Sequence, residues 1–223
     1  MKNLLFVFSF CMAFNISSLL AEGKYKVEVK GEYESWASGI GGQSTALLYG
    51  AGLGYYQSEM FYGASFVMGE YDMGSSSGKD LSRRDIDLIG GYKLDSMWSI
   101  FGGYRLSQMS YTNVMGTSDF NENIHGLGGG VAMRKIINSR WFGFASVALS
   151  LLKTETKYTG SVPSDPGAGY SFSVEGGSLY RFNQSNNLAL NVKYQTNRIS
   201  YDNSGVDWPH SYMRFGLSLN HIL

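Results

Sequence analysis

Charge is scarce in this 223-residue chain. Lys and Arg total 18 and Asp and Glu total 18, so 16% of the residues are charged and the formal net charge is zero. A soluble domain carries about 25% charged residues. The even balance leaves no basic footprint for nucleic acid. Cysteine occurs once, at Cys11, which excludes a disulfide scaffold and any cluster of thiolate ligands. With only three histidines, scattered along the chain, nothing points to a structural metal or a cofactor. No segment beyond the amino terminus approaches the ~18 consecutive apolar residues of a membrane helix. What is present is 29 glycines, 15% aromatic residues and a hydrophobic fraction of 43%, enough apolar surface to exclude a disordered chain.

The amino terminus reads as an export signal. Met1-Lys2-Asn3 is a short positive segment, Leu4 to Phe14 is apolar, and Ser17, Ser18 and Ala21 lead to the polar Glu22-Gly23-Lys24. That order of charged, apolar and small residues predicts cleavage after Ala21, so that 1–21 is a signal peptide and 22–223 a single mature domain. A membrane anchor is the alternative, but the apolar core is short for a span. A lipid-modified Cys11 fits poorly behind the bulky Phe8-Ser9-Phe10.

From Lys24 onward the chain alternates with period two. In 24–34, Tyr25, Val27, Val29 and Tyr33 share one face while Lys26, Glu28, Lys30, Glu32 and Glu34 share the other. Successive strand side chains point to opposite faces, so this segment separates an apolar surface from an ionic one. Similar strands are predicted at about 43–57, 59–73, 83–94, 97–111, 122–135, 140–155, 169–182, 187–201 and 211–222, ten in all, with eight or twelve possible; 59–73 is ambiguous because both its faces hold apolar residues.

The connections alternate in length. Short turns fall at 57–59, 95–96, 137–139 and 183–187, and longer polar or Gly-rich links near 36–42, 74–82, 112–121, 156–168 and 202–210. Pro163, Pro166 and Pro209 all fall in the longer set, where no ladder donor is lost. Alternating short and long connections are the pattern of an up-and-down outer-membrane barrel. A soluble lipocalin-like barrel would instead bury its apolar residues and expose the charges. Here the face opposite the aromatics is rich in Gly, Ser and Ala, too small to cover a soluble surface. Aromatics also gather near strand ends: Tyr25, Tyr55, Trp98, Trp141, Tyr180 and Phe182 toward the short turns, and Tyr33, Trp36, Tyr111, Tyr158, Tyr170, Tyr201 and Tyr212 toward the long links. Two girdles of this kind anchor a barrel at both membrane interfaces. The predicted fold is all-β, a membrane-spanning antiparallel barrel.

In this pattern, and in the terminal run Arg214-Phe215-Gly216-Leu217-Ser218-Leu219-Asn220-His221-Ile222-Leu223, the chain resembles the small outer-membrane β-barrel domain families, relatives of the OmpA transmembrane domain and OmpX. The resemblance implies that Arg214, Gly216, Leu219 and Leu223 belong to a terminal signal read by the outer-membrane assembly machinery, and that the barrel contacts outer-membrane lipid. It implies no substrate.

The predicted interior collects Lys26, Lys30, Arg83, Lys93, Arg105, Arg181, Lys193 and Arg214 with Glu28, Glu32, Asp85, Asp87 and Glu175. Charges shut inside a barrel must pair or be hydrated, so these residues either form ion pairs that fill the lumen or line a narrow wet channel of little ion preference. Glycines near 50–54 and 126–130 leave volume for water or for close strand approach. An enzymatic alternative rests on Asp85 and Asp87 with Asp207 and His210, groups similar in type to those of omptin-like outer-membrane proteases, where His could activate a water. Asp85 and Asp87 are equally explained as partners of Arg83 and Lys93. The reading that covers most of the residues is a non-enzymatic barrel serving envelope integrity or surface interaction through its long links, with a small porin as the alternative.

Overall fold

The computed structural model describes residues 23–38, 43–72, 80–112, 120–158, 164–202 and 207–223. The predicted signal segment, Cys11, Pro163 and the middle of each long link lie outside them. Among the described residues there are ten strands: β1 Lys24–Ser38, β2 Gln43–Gln57, β3 Met60–Asp72, β4 Asp80–Lys93, β5 Trp98–Thr112, β6 Phe120–Ile136, β7 Trp141–Tyr158, β8 Asp165–Arg181, β9 Asn186–Tyr201 and β10 Asp207–Ile222. Each pairs antiparallel with its neighbour in sequence, and β10 pairs with β1 to close the barrel. The ambiguous 59–73 segment is strand β3, with Val67 and Tyr71 turned inward. Closure gives every strand two partners, the only arrangement in which a sheet can sit in hydrocarbon without orphaned backbone groups.

The alternation in the sequence becomes the two sides of the wall. Leu47 is 70% exposed and Leu48 1%, although they are adjacent. Val29, Tyr49, Leu53, Leu88, Leu127, Leu149, Leu151, Leu190, Phe215, Leu217 and Leu219 all face outward. An apolar belt running round the molecule far exceeds the patches a soluble monomer exposes, and suits lipid. No helix among the described residues is long and apolar enough to cross a membrane; the crossing is made by strands.

Several strands extend further toward the long-link end than the sequence pattern predicts, and two prolines are inside them. Pro166 pairs with Glu155 of β7 one residue before pairing to β9 starts at Gly167. Pro209 pairs with Arg198 of β9 one residue before pairing to β1 starts at His210. Each sits at the end of its strand's pairing and not in its middle, where proline is tolerated, and the Pro166 carbonyl still accepts from the Asp202 N–H at 2.9 Å.

Three of the four short turns share one device. The Oδ1 of Asp95 accepts the backbone N–H of Met97 (2.6 Å) and Trp98 (2.7 Å). Asn138 does the same for Arg140 and Trp141, both at 2.9 Å, and Asn183 for Ser185 (2.9 Å) and Asn186 (2.8 Å). The sequence signature is an apolar residue, Asp or Asn, two further residues, then the first residue of the next strand. The turn from β2 to β3 is tighter, and Ser58 takes a left-handed φ of 49° there.

Glycine serves close strand approach at some of the positions marked in the sequence. A Cβ on Gly130 would lie 2.1 Å from the carbonyl oxygen of Val147, and one on Gly50 would lie 2.1 Å from that of Phe66. At these two positions the neighbouring backbone, not water, takes the space.

Candidate functional site

The inward face carries the chemistry, and it divides along the barrel axis. Toward the long links the described side chains pack the lumen. Glu34 of β1, Arg83 and Asp85 of β4 and Arg214 of β10 form a closed ring of four charges, each nearly inaccessible to solvent. Arg83 donates from Nη1 to Glu34 and from Nε to Asp85, both at 2.8 Å. Arg214 donates to Glu34 from Nε and to Asp85 from Nη2 at 2.8 Å. Tyr71 donates its hydroxyl to Glu34, and Ser107 donates to Asp85 at 2.6 Å. Every oxygen of both carboxylates is therefore engaged, the condition under which buried ions are tolerated.

Aromatic and aliphatic side chains pack round this ring. The Arg83 guanidinium lies 4.4 Å from the centroid of the Tyr212 ring, a cation–π contact that strengthens when desolvated. His210 stacks on Trp36 at 5.9 Å and on Tyr212 at 6.4 Å, while Leu48, Leu81, Met109 and Tyr111 complete the cluster. A second group holds Ile124, Leu152, Ile199 and Tyr201. Beside it the buried Glu122 accepts from Tyr201 and, at 3.2 Å, from Thr154. Together these form a plug of mixed character.

Toward the short turns the lumen is open. A cavity of about 790 Å³ is lined by residues that run from the turn at Asp95 and Met97 inward to Asp87, Arg105, Lys193 and Arg214. Arg105 grips Asp87 with two bonds, of 2.5 and 2.9 Å, and reaches Gln195 Oε1 at 2.6 Å. Lys26 pairs with Glu28 at 2.8 Å, Lys30 pairs more loosely with Glu32 at 3.6 Å, and Glu175 accepts from Asn191 at 2.8 Å. Lys93 approaches the carbonyl of Ser58 at 3.4 Å, and Arg181 lies over the Phe142 ring at 4.6 Å near the mouth.

All thirteen residues expected in the interior thus point inward, but not as one uniform set of ion pairs. Arg83, Asp85 and Arg214 enter the plug; the others belong to the cavity, which Arg214 also borders. Asp87 pairs with Arg105 and not with Lys93, because the β4–β5 register sets Asp87 opposite Arg105. Sequence reasoning left out Glu34 and Glu122. Glu34 could have been added from parity alone, since it is two residues beyond Glu32 on the same face.

The expected girdles need a correction at one end. At the short turns Tyr25 and Tyr55 are in contact (5.0 Å), as are Trp141 and Tyr180 (4.9 Å), and Trp98 on β5 faces outward. At the other end Tyr33 and Tyr170 face outward, but Trp36, Tyr111, Tyr201 and Tyr212 are buried in the lumen. They lie near strand ends, yet on the parity of the interior charges, and parity decides the face. In the terminal run, Arg214 and Gly216 face in while Leu219 and Leu223 face out. Of the groups behind the protease alternative, Asp85 is held by two arginines and Ser107, and His210 lies between two aromatic rings.

No protein-family model matches the chain, and no curated protein matches its sequence. Its architecture is similar to that of the outer-membrane protease OmpT of Escherichia coli, with a TM-score of 0.59 at 8% identity over 90% of this chain and 96% of that one. Neisserial surface protein A aligns at TM-score 0.44 and 14% identity, over 88% and 98% of the two chains. The attachment invasion locus protein Ail of Yersinia pestis aligns at 0.41 and 11%, over 90% and 99%. The chain has the fold of the small outer-membrane β-barrels.

Proposed function

We propose that this barrel is a non-enzymatic component of the outer membrane, exported by its amino-terminal signal, whose role lies in envelope integrity or surface interaction. The observation that carries the reading is the plug: a four-charge ring and a cluster of buried aromatics occupy the lumen at the long-link end. In an outer-membrane barrel the short turns face the periplasm and the long links the exterior, so the plug closes the outer mouth. Its charged groups are engaged with one another and not presented to a substrate. Lipid surrounds the apolar belt, the outward row of β10 with Leu223 just beyond it is available to the assembly machinery, and any surface ligand meets the long links.

Single-channel recording of refolded protein in a planar bilayer tests this reading, with folding checked by heat-modifiable gel mobility. The expected result is a folded, silent barrel. Steady, reproducible conductance steps would overturn it in favour of a small porin, the second reading, which the open inner half of the lumen favours. Peptide cleavage abolished by His210→Ala would instead require the protease reading.

A further inference from the structure

We propose that the cavity behind the plug is a binding site for a small multivalent anion, a phosphorylated or polycarboxylate solute entering from the short-turn end. This goes beyond the closed-barrel reading and does not depend on it.

The charge on the cavity wall is lopsided. The chain as a whole balances 18 basic against 18 acidic residues, but the cavity is lined by nine basic and five acidic side chains. With Arg214 assigned to the plug, where Glu34 and Asp85 hold it while Glu32 reaches it from the cavity at 3.4 Å, basic side chains exceed acidic ones by three; Lys24, Arg134, Arg181 and Asp95 are exposed at the mouth, and five basic face four acidic side chains further in. Each of the four inner acids already has a donor, Glu32 from Lys30 at 3.6 Å and from Arg214 at 3.4 Å. Both oxygens of Asp87 are taken by Arg105, Glu28 is taken by Lys26, and Glu175 accepts from Asn191.

Of the cavity cations without an ion pair among the described residues, Lys24, Arg134 and Arg181 are exposed at the mouth and Lys93 reaches the Ser58 carbonyl, which leaves Lys193. It sits opposite Glu175 in the β8–β9 register, yet among the described residues no hydrogen bond or ion pair reaches its ammonium, and it lines the inner end of the cavity. A lysine carries three donors and no acceptor, so an ammonium at the end of a walled cavity asks for an anion. Lys30 and the amides of Asn187 and Asn191 line the same space and can supply further bonds. A low-dielectric wall focuses the field of surplus charge into the opening, and about 790 Å³ is the scale of a ligand pocket. A basic mouth, an unpaired inner ammonium and neutral donors together select a multiply charged, oxygen-rich anion.

Isothermal titration of refolded barrel in non-ionic detergent with inorganic pyrophosphate, at low salt, tests the proposal. Saturable binding of one pyrophosphate per barrel is expected. Lys193→Gln should weaken it by about ten- to a hundredfold, the worth of one charge-assisted hydrogen bond, and the outward Lys157→Gln should leave it unchanged. Should Lys193→Gln fail to refold, Lys30→Gln takes its place with the same expectation. Absence of saturable heat with the unaltered protein overturns the proposal, as does equal binding by the cavity variants. A polycarboxylate titrated in parallel distinguishes a general anion site from one selective for phosphate. Silence or conductance in a bilayer leaves this result unaffected, so the two readings fail separately.

Discussion

Glu34 is the residue on which the plug depends most, and its removal gives the sharpest test. It is wholly buried and accepts from Arg83, Arg214 and Tyr71. Glu34→Ala leaves two guanidinium groups in a dry space with Asp85 as their common partner and Glu32 at 3.4 Å from Arg214. Breaking a buried ion pair from one side costs about 3–5 kcal/mol, because the remaining charge stays desolvated. Glu34→Gln keeps the shape and one acceptor oxygen but loses an ionic bond, for about 1.5–3 kcal/mol. Reversible urea unfolding in lipid or detergent measures both, with Trp36 as an internal probe because its ring packs against His210 and Tyr71 inside the plug. The double variant Glu34→Ala/Arg214→Met should cost less than the sum of its parts, with a coupling of about 0.5–3 kcal/mol. A Glu34→Ala cost below about 1 kcal/mol, the worth of an exposed pair, refutes the idea that the ring is dry and mutually dependent.

Two further substitutions probe the wall and its turns. Gly130→Ala would press a Cβ to within 2.1 Å of the Val147 carbonyl oxygen, and backbone cannot step aside as a side chain can; a loss of about 1–3 kcal/mol is expected in the same unfolding assay, and unchanged stability would mean the strands separate freely there. The exposed Asp95 is held below the usual carboxylate range by the N–H groups of Trp98 and Met97. A depressed folded-state pKa gives stability that is present above the unfolded value near 4 and lost as pH falls through the folded one. Unfolding midpoints from about pH 5 to 2 should therefore decline less in Asp95→Asn, which retains the acceptor oxygen, than in the unaltered protein; parallel declines would show that the turn does not sense its charge.

The barrel was legible because charge and apolarity alternate so cleanly: Lys26 to Glu34 against Tyr25 to Tyr33 states both faces of the wall before any coordinates exist. The same rule would have placed Trp36 and Tyr212 inside, since each shares parity with a neighbouring interior charge, but weight given to aromatics at strand ends sent them to the interface. Partnership was harder to read than facing. Asp87 is closer in sequence to Lys93 than to Arg105, and only the register between β4 and β5 decides between them. The division of the lumen into plug and cavity depends on depth along a tilted strand, for which alternation carries no signal. The repeated Asp/Asn turn was present as Leu94-Asp95, Ile137-Asn138 and Phe182-Asn183, and its spacing to the next strand was the signal that went unused.

The ion pair between Glu34 and Arg214 joins residues 180 apart, and that separation has a meaning for assembly. Nine of the ten junctions among the described strands are hairpins between neighbours; the join of β1 to β10 alone must bring the two ends of the sheet together. Local pairings form early and non-local ones late, after the loop-closure entropy is met. Until that last join an open sheet can seat Glu34 against Arg83 but leaves Arg214 on the far edge, so the plug cannot be completed before the wall is. The ring of charges is thus a clasp that fastens only on a finished barrel, and it spans the seam between the two edges at which a half-built barrel could pair with the wrong chain.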